Sequence, residues 1–246
     1  MSAAGDIAGN PSCGAMAEAA AVILALADIE PDLGALPKVL ATVSVVTFAP
    51  DRRALAWRRL YLSIYQLPCR VVLVGSIDNT PELAGLADDT AGLLIVETDA
   101  MAVSTAELLP RGTQWRSFTE FGAGLDAEDR VALATALVNG LQPKSVLILG
   151  SGTGWEMLMR HGNALRCNTT LFGAVAATPE LTVTDLLGTY LRRCMPSLSV
   201  LYGPDEQALK RVAAVFGLAQ ADRVKLRAWR DARNADGFLA TSDPWV

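Results

Sequence analysis

One histidine, His161, serves the whole chain of 246 residues. A multi-histidine metal centre is thereby excluded, and a Ser–His–Asp hydrolase has a single position for its base. No GxSxG elbow accompanies it, and a lone histidine on a helix reads most simply as a surface residue. The four cysteines, Cys13, Cys69, Cys167 and Cys194, are scattered without a CxxC pair or a disulfide framework. That usage fits a reducing compartment, so a cytoplasmic location is expected. Basic excess is missing as well: 21 Lys and Arg face 26 Asp and Glu, for a formal net charge of −5 without long single-sign runs. No nucleic acid is expected as a partner. The apolar tract at 15–30, AMAEAAAVILALADIE, contains Glu18 and Asp28 and lacks a basic flank. It suits neither a signal peptide nor a bilayer span. It reads as an amphipathic or buried helix, with an interfacial helix at a membrane surface as the alternative.

Apolar runs of strand length are what the chain has in quantity. TVSVVTF (42–48), RVVLVG (70–75), GLLIVE (92–97), SVLILG (145–150), TLFGAVA (170–176) and SVLYG (199–203) are almost uniformly apolar, as strands covered on both faces are. Helical patterns fall between them at 51–66, 81–87, 126–141, 155–166, 184–195 and 204–216. Asp126, with Asp129 three residues on, marks one start, Thr182 or Thr184 another, and Pro204 a first turn. This alternation without hairpin turns predicts an α/β fold: a doubly wound, mostly parallel Rossmann-like sheet with flanking helices. Three regions are expected, an N-terminal arm and helix (1–41), a first α/β half (42–124) and a second (125–246). The stretch 98–124 is the least regular and reads as a loop or joint.

The corner after SVLILG attracts chemistry. GSGTG, Gly150 to Gly154, followed by Trp155 and Glu156, places backbone N–H groups and a helix start beyond the carboxyl end of a strand, where α/β sheets bind ligands. A dinucleotide fingerprint needs glycine where Trp155 stands. VLILGSGTG resembles the first motif of methyltransferases, which implies S-adenosylmethionine. That family grips the ribose with an acid after the next strand, and no Asp or Glu occurs from Met157 to Pro179.

A longer resemblance covers about 125–226. Ser151, Gly154, Trp155 and Glu156, then Arg160 and Gly162, Leu171 and Phe172, Tyr190–Leu191–Arg192, Pro196 and Leu198, and Phe216 to Leu218 follow one another in an order that resembles bacterial GT-B glycosyltransferases. Gly150 replaces an Asn of that pattern, and Gly203–Pro204 replaces an Asp-Asn pair. The resemblance implies glycosyl transfer in surface-polysaccharide synthesis by an acceptor-side half. A sugar nucleotide and a glycan or lipid-linked acceptor are the partners it implies, and a second domain or partner chain would grip the donor. Glu156 would be the catalytic base or hydroxyl ligand. Gly150, Ser151, Gly152, Thr153, Gly154, Trp155 and Asp205 would bind substrate, with no metal or cofactor. A non-catalytic, partner-dependent half-enzyme is the other reading left open.

The stretch 43–80 resembles, more faintly, the opening of GT-A glycosyltransferases, which implies acidic ligands for a nucleotide or a divalent metal. Asp78, Glu97 and Asp99 stand at the turns concerned, with a solvated loop as their plain reading. Plain readings exist for the others too: an acid complementing a helix start for Glu156, packing for Trp155, and solvated faces for Arg192–Arg193 and for Lys225, Arg227 and Arg230.

Overall fold

The computed structural model describes residues 52–78, 80, 83, 92–100, 109, 113–121, 124–175, 186–233 and 238. The chain divides into two compact units, 1–49 and 50–246; all described residues belong to the second. The expected strand at 42–48, the tract at 15–30 and most of the helix at 81–87 lie outside the described residues.

Seven strands form one all-parallel sheet: β1 (Arg70–Val74), β2 (Leu93–Glu97), β3 (Gln114–Ser117), β4 (Ser145–Leu149), β5 (Thr170–Ala174), β6 (Val200–Gly203) and β7 (Leu226–Ala228). Their spatial order is β3-β2-β1-β4-β5-β6-β7, a Rossmann-like arrangement in which the connections change direction between β1 and β4. The helices are α1 (Arg52–Ser63), α2 (Phe118–Phe121), α3 (Ala127–Leu141), α4 (Gly152–Leu165), α5 (Leu186–Cys194), α6 (Glu206–Val215) and α7 (Gln220–Arg223). Among the described residues, no helix is long and apolar enough to cross a membrane.

Burial on both faces explains the apolar strands. Val71, Leu73, Val146 and Ile148 point into one core with Leu60, Leu137, Leu158 and Leu191 of the helices. Val72, Val74, Leu147 and Leu149 point into a second core with Ile77, Phe172, Tyr202 and Phe238. Consecutive side chains leave a strand on opposite sides, so no position is free to be polar. Five of the six expected strands appear, and SVLILG supplies the fourth of seven, the middle of the sheet. The additional strands β3 and β7 lie at the two edges. The expected boundary at 124/125 falls between strands that share this sheet, since β1 and β4 pair directly.

Asp126 caps α3 as its spacing predicts, accepting from the Asp129 backbone N–H at 2.8 Å while the Asp129 carboxylate accepts from the Asp126 backbone N–H at 3.3 Å. Arg52 and Arg53 of α1 then reach that same Asp129 at 2.7 and 2.5 Å. The Asp129 side chain is fully buried. Burial pushes its pKa up, but the Arg53 hydrogen bond, the capping hydrogen bond and the two positive charges outweigh it and hold the carboxyl below its usual value.

Candidate functional site

The direction change between β1 and β4 opens a crevice beyond their carboxyl ends, where a ligand would be sought first. Gly75 ends β1 there and Gly150 ends β4. Gly150 has a φ of 64°, and a Cβ on Gly75 would lie 2.3 Å from the Gly150 carbonyl oxygen, so the two turns meet too closely for any side chain at Gly75.

The chain fills this crevice itself. Just past β2, the Thr98 and Asp99 N–H groups donate to the Val74 and Gly75 carbonyls at 2.8 and 3.0 Å, which carries Asp99 across the end of β1. Its carboxylate accepts the Gly152 N–H at 2.7 Å, the Thr153 N–H at 3.2 Å and the Thr153 hydroxyl. Ser151 caps the helix, its Oγ taking the Gly154 N–H at 2.7 Å and lying 2.7 Å from the Thr98 hydroxyl. The Trp155 N–H already bonds the Ser151 carbonyl. Every N–H group in the first turn of α4 is therefore taken. A carboxylate of the protein sits where a helix N-terminus would otherwise attract a phosphate.

α4 begins at Gly152, three residues before the expected start, because Ser151 provides the cap and the glycines form the first helical turn. This dictates which residues face out. Ser151 and Gly154 are buried, and a Cβ on Gly154 would lie 2.9 Å from Ile148 Cγ2. Trp155 is 3% exposed and turns into the core over Gly173, whose absent Cβ would lie 2.6 Å from the indole ring. Asp205 caps α6, accepting the Ala208 N–H at 2.7 Å. Pro204 lies just before that cap. His161 is exposed on α4.

Beside the filled crevice runs an open groove of about 570 Å³ between the starts of α3 and α4 and the α5 face. It gathers Gly152, Thr153 and Glu156 from the expected set, together with Asp99, Glu128, Arg130, Arg160 and Tyr190, over an apolar wall of Leu125, Ala127 and Val131. Arg160 spans it. Its guanidinium holds Glu128 of α3 through two hydrogen bonds of 2.5 and 2.7 Å, and its Nε holds Glu156 at 2.6 Å. The hydrogen bonds to Glu128 and then Glu156 raise the Arg160 pKa, and the Arg160 hydrogen bond lowers that of Glu128. Tyr190 lies near Glu156; burial first, then that carboxylate, pushes the phenol pKa up, so it stands as a neutral donor. Behind it the Cys194 thiol is buried and pushed up to about 12 by burial and by Glu156. It is an inert thiol.

Glu128 and Arg130 had no functional signal in the sequence, whereas Glu156 and Arg160 are readable as an i,i+4 pair on one helix. Asp78, Glu97 and Asp99 do not converge on a metal: Asp99 is spent on α4, and Glu97 is buried, accepting the Ile77 N–H at 2.9 Å. No cluster of His, Cys, Asp and Glu suited to a metal ion occurs among the described residues. Arg192 bonds the Phe216 carbonyl at 2.5 Å and Lys225 the Met195 carbonyl at 2.6 Å, so these cations fasten helix ends. Comparison of the chain with protein-family models, with curated proteins and with solved structures found no match in any of the three.

Proposed function

We propose that the chain is a glycosyltransferase-like protein of bacterial surface-polysaccharide synthesis, and that the groove beside α4 takes its carbohydrate acceptor. The observation that carries this reading is the Asp99 carboxylate on the α4 N-terminus. A sugar nucleotide brings phosphates, which seek free N–H groups or uncommitted cations. Here the backbone donors are taken, and Arg160 is committed to two glutamates. A neutral polyol asks for something else: carboxylate acceptors alternating with donors above an apolar surface for the sugar ring. Glu128, Glu156, Arg160 and Tyr190 over Leu125 and Val131 offer that.

In transfer, Glu156 would take the proton of an acceptor hydroxyl as its oxygen bonds the anomeric carbon. The bond from that carbon to the diphosphate breaks, and the diphosphate leaves with the bonding electrons. The diphosphate is held by another body, a second domain or a partner chain, as the GT-B resemblance implies. A second reading, a chain that binds glycan without transferring to it, is favoured by Gly203–Pro204 in place of the Asp-Asn pair and by Asp205 being consumed as a helix cap. The methyltransferase reading gains no support, because β5 ends at Ala174 and Val175 follows it, with no carboxylate for a ribose among the described residues there.

Fluorescence anisotropy with a panel of labelled neutral oligosaccharides tests the proposal. Binding by the wild type, weakened about tenfold by Glu156→Gln as expected for loss of one charged hydrogen bond, supports it. Binding of sugar nucleotides in preference to every glycan would refute it. A glycan bound without turnover, even with a donor-binding partner supplied, selects the second reading.

A further inference from the structure

The outer face of α1 does not look like a helix meant for water. Its inner positions Ala56 and Leu60 are buried and Ile64 packs against the same core, which satisfies the helix's need for an apolar stripe. Yet Tyr61, Leu62, Tyr65 and Leu67 stand 43, 71, 73 and 66% exposed; only Val215 and Val224 join them among exposed large apolar side chains of the described residues. Arg58, Tyr61 and Leu62 follow i, i+3, i+4 spacing and share one side of α1, and Tyr65 and Leu67 stand exposed in the segment just past its last residue, Ser63. Arg58 and Arg59 are exposed, and neither has a hydrogen bond or ion pair with a described residue. They differ in this from Arg52 and Arg53, which are tied to Asp129. No Asp or Glu occurs anywhere from Arg52 to Ile77. Exposed Lys144 adds a further positive charge at this end of the sheet, its N–H bonded to the Cys69 carbonyl at 2.8 Å.

We infer that this face docks on an anionic lipid surface. Tyrosines and leucines beside arginines are what the headgroup boundary accepts, with rings and alkyl groups below the headgroups and guanidinium groups among the phosphates. Charge decides between occupants. A second copy packed on the same patch would bring Arg58 and Arg59 against their own like, with no described acid on the helix to pair them. An anionic surface complements them, and a basic spot on a chain of net charge −5 orients the molecule toward it. The patch lies at the C-terminal end of α1, beside the amino ends of β1 and β3, since the Tyr65 N–H bonds Gln114 at 2.9 Å. The groove lies beyond the opposite ends of the strands. With α1 12 residues long, or about 18 Å, a docked molecule keeps its groove open to the aqueous side.

Flotation of the full chain with vesicles tests this. Vesicles of phosphatidylcholine containing about one-third phosphatidylglycerol should carry the protein up a density gradient; phosphatidylcholine alone should carry far less, and added salt should release it. Reversing Arg58 and Arg59 to glutamate should weaken binding by about tenfold or more, and Leu62→Ser with Tyr65→Ser should weaken it too. The circular dichroism spectrum should stay unchanged, because these side chains are exposed. Leu67→Ser, outside the helix, gives a second probe if the double variant unfolds. Absence of flotation at every lipid concentration, or equal flotation of the charge-reversed protein, overturns the inference. A dimer in sedimentation equilibrium that Leu62→Ser dissociates would assign the face to a second copy instead.

Discussion

Replacing Asp99 by alanine takes the acceptor from three donors at once, the Gly152 and Thr153 N–H groups and the Thr153 hydroxyl. Hydrogen bonds to a charged group contribute about 1.5–3 kcal/mol when buried, and a carboxylate on a helix N-terminus adds about 0.3–1 kcal/mol. Asp99 and Gly152 are only half-buried, so water replaces part of what is lost and a net cost of about 2 kcal/mol is expected. In a folding unit spanning 50–246, that lowers the melting temperature by about 4–8 °C. Asp99→Asn keeps one acceptor oxygen and should fall about half as far. The vacated turn is then an anion site, so inorganic phosphate should restore part of the loss in Asp99→Ala, by about 1.4 kcal/mol at a tenfold excess over its dissociation constant. Thermal unfolding followed by circular dichroism, with and without phosphate, reads both effects. A melting temperature unchanged in Asp99→Ala, or equal stabilisation of wild type and variant by phosphate, would show that the carboxylate does not fill the corner.

Three further outcomes follow from the packing. Gly173→Val puts side-chain atoms into the Trp155 indole and against Leu201 and should cost about 1–3 kcal/mol, read by urea denaturation; an unchanged midpoint would show that the indole can move away. The folded-state pKa of Asp129 lies below its ordinary 3.8, so its stabilising effect is complete above that value and is lost as the pH falls through the lower folded pKa. Asp129→Asn should therefore be less stable at pH 7 but lose less stability on acidification, and parallel pH profiles for the two proteins would contradict the pairing with Arg52 and Arg53. Alkylation with iodoacetamide at pH 8, mapped by mass spectrometry, should mark exposed Cys69 and Cys167 in the native protein and reach buried Cys194 only on unfolding; equal rates would be inconsistent with its burial.

The central strands were legible because burial on both faces admits only apolar residues, as in Val71 to Val74. β3 and β7 were not. Each lies at an edge with one neighbour, and QWRS and LRA are short and lack the apolar run of four residues that marks β1. The start of α3 could be read from Asp126 and Asp129, since a capping box is a contact over three residues. Asp99 could be seen as an acid after a strand, but its partner Gly152 lies 53 positions on, and only the strand order brings them together. Packing was the plain reading of Trp155 at its corner, but its partner was hidden for the same reason: what gives the indole room is a missing side chain on the next strand, at Gly173. Likewise the groove joins Glu128 and Glu156 through Arg160, of which only the pair on α4 is visible in sequence.

In the proposed function the corner after β4 is closed to phosphate and the groove beside it is open to sugar. Backbone amide resonances of Gly152, Thr153, Glu156 and Tyr190, followed by heteronuclear NMR during separate titrations with a neutral oligosaccharide and with a nucleoside diphosphate, test both halves together. The oligosaccharide should shift Glu156 and Tyr190, and the nucleotide should leave Gly152 and Thr153 in place. Saturable movement of Gly152 and Thr153 with the nucleotide, and none with any glycan, would contradict that function.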